Sequence, residues 1–160
     1  MRIKIASLNV KGRASGSLNK WHHMPQLMRN RQIGILAAQE THIMDEVESN
    51  FKELFGRTHR LVHSPDPETR NAKGVAFVLN RGMVYADNIK INILVPGRAL
   101  MIVIPWKGDR WLTILNIYVP NDLRETREFW TTIRDGLYTT NLAKPDIMLG
   151  DFNLVEDALD

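Results

Sequence analysis

Four short apolar stretches of this chain each stop on a polar side chain, and that repetition narrows the folds open to it. Residues 3–8 run into Asn9, residues 33–39 into Glu40, residues 112–117 into Tyr118 and then Asn121, and residues 147–149 into Asp151 and Asn153. In sheet proteins strand ends are where binding groups converge, because the scaffold fixes them while the loops stay free. The last stretch is the most explicit. In Asp146-Ile147-Met148-Leu149-Gly150-Asp151-Phe152-Asn153 an apolar strand ends, a glycine frees the backbone, and a carboxylate and an amide follow in quick succession. A strand end of this kind suits a phosphate ligand.

The segments between these strands fill in an architecture. After a Gly/Ser loop over residues 12–17, with Ser17 as helix N-cap, Leu18, Trp21, Met24, Leu27 and Met28 recur at helical spacing. Residues 33–38 are continuously apolar, as expected of a strand buried on both faces. Met44, Val47, Phe51, Leu54 and Phe55 predict a second amphipathic helix closed by Gly56. Strand texture follows: residues 58–64 and 74–79 flank a Pro/Asp/Asn-rich loop over 65–73, and Ile89, Ile91, Ile93 and Val95 alternate with other residues. Residues 100–106 and 111–118 form a hairpin around Lys107-Gly108-Asp109. Asp122 with Glu125 has the form of a capping box, Phe129, Ile133 and Leu137 make the buried stripe of a third helix, and Pro145 resets the chain into the last strand. The order βαβα, a run of strands, then αβ predicts an α/β sandwich with helices outside and mixed sheets within. Only a short acidic tail over 156–160 follows that strand, so the sheet reads as cut short.

With 160 residues, 44% of them hydrophobic and 24% charged, the chain has the length and composition of one soluble domain. It has no cysteine, which excludes disulfides and Cys-based zinc sites. No apolar run approaches membrane-spanning length, and the start shows no signal peptide, so an intracellular protein with no membrane partner is expected. The net charge of +3 is unevenly spread: residues 1–40 hold seven Lys or Arg against one acid, residues 121–160 four against nine. A basic front and an acidic tail suit a polyanion that touches one side of the molecule, although surface charge also varies along ordinary chains.

One Glu and one Asp are few carboxylates for a protein-built metal cage. They suit Mg²⁺, which keeps waters and borrows oxygens from substrate phosphate, while Asn and Tyr hold phosphate without adding negative charge. Each residue has an ordinary alternative when taken alone: Asn9 as a turn residue, Glu40 as a solvated acid, Tyr118 as a half-buried strand tyrosine, Asp151 as a turn aspartate. The site reading gains from all four occurring together at similar positions. Of the five histidines, only His42 follows a candidate site residue closely, two positions after Glu40. Ser-His-Asp arrangements, Gly-rich phosphate loops and dinucleotide-binding fingerprints are absent.

Taken in order, Ser7-Leu8-Asn9-Val10, Gln39-Glu40-Thr41-His42, Gly74-Val75-Ala76-Phe77, Thr113-Ile114-Leu115-Asn116-Ile117-Tyr118-Val119-Pro120-Asn121 and Gly150-Asp151-Phe152-Asn153 resemble the endonuclease/exonuclease/phosphatase superfamily. The wording of the second and fourth segments is nearer to the endonuclease domains of LINE-type non-LTR retrotransposons than to apurinic endonucleases. The resemblance implies a four-layer α/β sandwich, here incomplete, with residues 1–160 as the N-terminal portion of a single domain. It further implies Glu40 as principal ligand of Mg²⁺ or Mn²⁺ with Asn9 beside it, Tyr118 hydrogen-bonded to the scissile phosphate, Asp151 activating the attacking water and Asn153 stabilising charge on the phosphoryl oxygens. Asn121, Lys11 and His42 are the implied substrate contacts. Two departures stand out. Lys11 occupies a position where the family usually has Asn, and the family's second half, with a further Asp and a Ser-Asp-His ending, has no counterpart, since no histidine follows His63.

The function the resemblance implies is metal-dependent phosphodiester hydrolysis, a DNA-nicking endonuclease of a retroelement, with DNA as partner, a reverse transcriptase domain in the full-length element, and a nuclear place of action. Two alternatives accompany it: an inactive retroelement-derived fragment with at most weak nucleic-acid binding, and a superfamily member acting on abasic DNA, RNA or a small phosphorylated substrate.

Overall fold

The alternation of inward and outward side chains along eight strands builds two sheets that pack face to face. A computed structural model describes residues 2–11, 17–69 and 72–154. Most of the expected Gly/Ser loop and the acidic tail over 156–160 lie outside these residues. Among the described residues the elements run β1 (Ile5–Asn9), α1 (Ser17–Arg31), β2 (Ile35–Gln39), α2 (Asp45–Phe55), β3 (His59–Ser64), β4 (Val75–Asn80), β5 (Lys90–Val95), β6 (Ala99–Pro105), β7 (Trp111–Tyr118), α3 (Leu123–Thr139) and β8 (Ile147–Asp151). One sheet has the order β1-β2-β4-β3 and the other β5-β6-β7-β8. Each is mixed: β1 pairs with β2 and β7 with β8 in parallel, and the remaining pairs are antiparallel.

Three apolar layers follow from this arrangement. Ile35, Phe77 and Leu79 of the first sheet meet Leu100, Ile102 and Ile114 of the second in the central layer. On the outer face of the first sheet, Leu36, Ala38 and Val78 pack under Trp21 and Met28 of α1 and Val47 and Phe51 of α2. On the outer face of the second, Met101, Leu115 and Ile117 pack under Phe129 and Ile133 of α3. The molecule is therefore a four-layer α/β sandwich, and each large side chain so buried contributes about 1.5–3 kcal/mol. The expectation for residues 33–38 holds, since every residue of β2 is buried.

Local chemistry sets the element ends. Asp122 caps α3, its Oδ1 accepting from the backbone N–H of Arg124 at 2.9 Å and Glu125 at 3.0 Å. Glu125 itself turns toward Arg98, 3.9 Å away. The hairpin forms as expected around Lys107–Asp109, closed by the Trp106 N–H on the Arg110 carbonyl at 2.8 Å. Ser17 is the first residue of α1 rather than the one before it, and Gly56 ends α2 at φ −58°, where close approach to the Lys52 carbonyl rather than a left-handed turn excludes a side chain. Ile91 and Ile93 depart from the half-buried pattern their alternation implies, at 42% and 52% exposure. The reason is position: β5 is the edge strand of its sheet, and it is Leu94 and Val95 that pack beneath α3.

The turn at Gly97 fastens one sheet to the other. Its N–H donates to Ser64 Oγ at 3.0 Å and its carbonyl accepts from Gly74 N–H at 3.1 Å. At φ +72° a Cβ here would lie 2.8 Å from Asp66 Cα. Asp66 in turn accepts from the Glu68 and Thr69 N–H groups at 3.0 and 2.9 Å and pairs with Lys73 at 3.4 Å. Burial works to raise the Asp66 pKa, but these donors and Lys73 outweigh it and hold the carboxyl below its ordinary 3.8. A depressed folded pKa gives stability that is present above the unfolded value and lost as pH falls through the folded one. Asp66→Asn is therefore expected to flatten the acid limb of stability below pH about 4, measured by urea denaturation at stepped pH.

Gly150 closes the second sheet. With φ +142° and a would-be Cβ only 2.0 Å from the Ile117 carbonyl oxygen, this position of β8 admits no side chain. Gly150→Ala should cost about 3–4 kcal/mol in equilibrium unfolding.

Candidate active site

Inward-facing positions change character along the slot between the sheets. Ile5, Ile35, Ile114 and Ile147 are apolar at one end. Two residues further on, alternation places Ser7 on β1 and Asn116 on β7 in the same rows, and β2 ends in Gln39. The rows finish at Asn9, Tyr118 and Asp151, at the C-terminal mouth of the slot. The expected strand ends thus converge because β1, β2, β7 and β8 all deliver their C-termini to one place.

The centre of the site is a single amide. Asn9 Nδ2 donates to Glu40 Oε1 at 2.9 Å and to Asp151 Oδ2 at 2.7 Å, joining the first sheet to the second. Its Oδ1 accepts from the Lys11 N–H at 2.9 Å, which fixes the amide's orientation. Asp151 Oδ1 accepts from the Asn153 N–H at 3.0 Å, and the Asn153 amide nitrogen is bound to the Val119 carbonyl. Lys20 of α1 donates to the carbonyls of Val10 and Lys11 at 2.9 and 3.0 Å and so pins the chain leaving β1.

Tyr118 stands beside both carboxylates. Burial raises its pKa first, the charge of Glu40 adds to this, Asp151 and a hydrogen bond to Glu40 act the same way, and Arg98 opposes them. The phenol is thereby kept as a neutral donor. Arg98 lies behind it, 5.2 Å from the ring centroid, with Nη1 on the Tyr118 carbonyl at 3.1 Å. His42 sits near enough to Glu40 and Lys20 to feel both. Burial lowers its pKa most, Glu40 raises it and Lys20 lowers it, leaving it below 6.5. Lys11 and Asn121 are exposed at the strand exits, and the hydrogen bonds that tie Asn9, Glu40, Asp151 and Asn153 together do not include the side chain of either.

Sequence reasoning passed over the amides beneath the site. Gln39 and Asn116 are 1% and 0% exposed and bonded to each other, Nε2 to Oδ1, at 2.7 Å across the sheet interface. Asn116 Nδ2 donates to the Ala38 and Ala76 carbonyls at 3.0 and 2.9 Å, and Gln39 Nε2 also donates to Ser7 Oγ at 3.1 Å. The available signal was an Asn in the middle of an otherwise apolar strand. Arg98 left no comparable signal.

As to ion binding, Glu40 and Asp151 offer hard oxygen donors held side by side, and among the described residues neither forms an ion pair. That donor set fits a small hard dication that keeps most of its waters. Among the described residues no three His, Cys, Asp or Glu side chains cluster closely enough to form a metal cage.

This two-sheet architecture, flanked by helices and open at one mouth, is the fold of known nucleases. Similar solved structures include the AP endonuclease LMAP from Leishmania major (19% identity, TM-score 0.66, covering 95% of this chain and 55% of that one). Others are an AP endonuclease from Archaeoglobus fulgidus (18%, 0.67, 99% and 60%) and D. rerio TDP2 complexed with single strand DNA product (12%, 0.65, 96% and 62%). At these identities what is shared is the fold, and the chain spans about three fifths of the length of these structures. No protein-family model and no curated protein sequence matches the chain.

The amide pair generates a direct test. Asn116→Leu strands the Gln39 side chain in the interface and should cost about 2–3 kcal/mol, whereas Gln39→Leu/Asn116→Leu removes that stranded amide and should recover part of the loss in denaturant unfolding, the bonds to the Ala38 and Ala76 carbonyls staying lost in both.

Proposed function

We propose that this chain is the N-terminal part of a metal-dependent phosphodiesterase domain that nicks DNA. The observation that carries the reading is the Asn9 amide bridging Glu40 and Asp151, with the Tyr118 phenol beside them at a strand-end mouth. The similar structures support it, since two are AP endonucleases and one holds a DNA product. The motif wording supports the narrower reading of a retroelement endonuclease that works in the nucleus and is joined to a reverse transcriptase domain.

In this reading Glu40 holds Mg²⁺ or Mn²⁺, and the ion supplies charge neutralisation at the phosphate. Asn9 fixes the rotamers of Glu40 and Asp151 together. Asp151 orients the attacking water in line with the scissile bond and takes up its proton. Tyr118 donates to a non-bridging oxygen, and the Asn153 amide, once drawn from the Val119 carbonyl, stabilises the charge that builds on the phosphoryl group. Lys11, His42 and Asn121 line the approach and contact the nucleic acid on either side. β1 and β8 are both edge strands and meet at the site. Parallel edge strands ordinarily carry further cover, which supports the reading that the rest of the domain adds strands there.

Nicking of supercoiled plasmid tests the assignment. Mg²⁺-dependent nicking is expected to fall at least about 100-fold in Asp151→Ala and in Glu40→Gln with the circular dichroism spectrum unchanged. Nicking that survives either substitution, or that persists in chelator, overturns it. A folded chain with no nicking supports instead the reading of a retroelement-derived remnant that at most binds nucleic acid.

A further inference from the structure

Tyr118 stands one residue beyond the ladder that holds the rest of its strand. β6 and β7 pair from Pro105 and Trp111 to Ala99 and Ile117, and there the ladder stops. On its other side Tyr118 still pairs with Asp151 of β8. The residue that meets the overhang is Arg98, in the turn before β6, where its N–H donates to the Val95 carbonyl at 3.0 Å. Arg98 holds Tyr118 by backbone, side chain and ring face. Its carbonyl accepts from the Tyr118 N–H at 2.7 Å, and its Nη1 donates to the Tyr118 carbonyl at 3.1 Å. The guanidinium carbon lies 5.2 Å from the ring centroid, within reach of a cation–π attraction.

A residue kept for the turn alone needs only the backbone bonds, which almost any side chain leaves intact. The Arg98 side chain is 15% exposed, and a charge drawn that far out of water is costly unless its donors are used. Glu125 of α3 stands farther off, 3.9 Å from Nη2 and 62% exposed, so water weakens that pair. The closer contacts of the guanidinium are those it makes with one tyrosine. The turn that carries Arg98 is also tied to the first sheet. The Gly97 carbonyl accepts from the Gly74 N–H at 3.1 Å, and the Gly74 carbonyl accepts from the Thr41 N–H at 3.2 Å. Thr41 follows Glu40 directly, so hydrogen bonds in series run from the residue beside the Glu40 carboxylate to the residue against the Tyr118 ring.

We infer that Arg98 is a positioning residue for the proposed phosphodiester hydrolysis: it holds the Tyr118 ring so that the phenol meets the phosphate beside Glu40 and Asp151. The chemistry of this inference rests on the nuclease reading, while its geometry stands without it. The Gln39–Asn116 bond brings the two strands into register, but the side chain two residues further along β7 keeps torsions of its own. A phenol stabilises a phosphoryl oxygen when it is aimed at it, and misplacement by about 1 Å can cost as much as about 100-fold in rate. Arginine suits the task because its planar fork can donate to a carbonyl while its face covers a ring. Lysine carries the charge without that shape.

Two measurements on the intact chain test the inference, one of them independent of activity. With ring-labelled tyrosine, nuclear magnetic resonance follows the chain's three tyrosines, and the Tyr118 signals are those lost in Tyr118→Phe. Nuclear Overhauser contacts from the Tyr118 ring to the central apolar layer are expected to weaken in Arg98→Met. The signals of the exposed Tyr85 and Tyr138 should stay in place and report an intact fold. In Mg²⁺-dependent nicking of plasmid, Arg98→Met should lower kcat about tenfold with KM unchanged, and should change it by less than about twofold in a Tyr118→Phe background. If Arg98→Met does not fold, Arg98→Lys takes its place in both measurements with the same expectations. Absence of nicking by the unsubstituted chain defeats the nuclease reading and leaves the Overhauser contacts to decide whether Arg98 holds the ring. An undisturbed Tyr118 ring in a folded variant, or an equal loss of kcat with and without the Tyr118 hydroxyl, overturns the inference.

Discussion

The bond from Gln39 to Asn116 is the constraint on which the rest of the mouth depends. Two apolar sheets can slide over each other at little cost, because hydrophobic attraction has no direction. A buried amide pair removes that freedom, since a slip would strand polar groups out of reach of water. Asn116 also donates to carbonyls of both β2 and β4, so the second sheet is indexed against two strands of the first at once. Glu40 follows Gln39 directly, and Tyr118 lies two residues beyond Asn116. The pair is therefore what places a carboxylate from one sheet beside a phenol from the other.

Backbone strain collects at the same end of the molecule. Lys11, Glu40, His42 and Asn153 all have φ between 43° and 50°, a region that costs a side-chain-bearing residue about 1 kcal/mol or more. The surroundings hold these turns in place: Lys20 fixes the carbonyl of Lys11, His42 N–H is bonded to the Lys73 carbonyl, and Asn153 is tied to Asp151 and Val119. Strain of this kind aims side chains where a relaxed turn would not, and it sets the geometry in advance of any ligand.

What the sequence showed and what it hid divide along the range of the interactions. The strand ends, the Asp122 cap and the Lys107–Asp109 hairpin are written in neighbouring residues and were readable there. So were the positions that meet at the mouth, because Asn9, Glu40, Tyr118 and Asp151 each end an apolar run. The Gln39–Asn116 bond joins residues 77 positions apart, and no local period announces it. Ile91 and Ile93 misled for a related reason: alternation identifies a strand, but exposure depends on whether the opposite sheet reaches that far. Arg98 behind Tyr118 is a product of the tertiary fold alone.

Charge balance then decides how a phosphate can enter the mouth. Glu40 and Asp151 face the same space and would repel it. Two of the cations at hand are committed elsewhere, Lys20 to the backbone of residues 10 and 11 and Arg98 to the carbonyl and ring face of Tyr118, which leaves the exposed Lys11 against two carboxylates. Neutral donors, the Asn9 and Asn153 amides and the Tyr118 phenol, orient oxygens but cancel no charge. One lysine does not balance two carboxylates, so a polyanion settles against them more readily together with a further cation, and two fixed oxygen donors suit a small hard one. The proposed divalent ion follows from that imbalance.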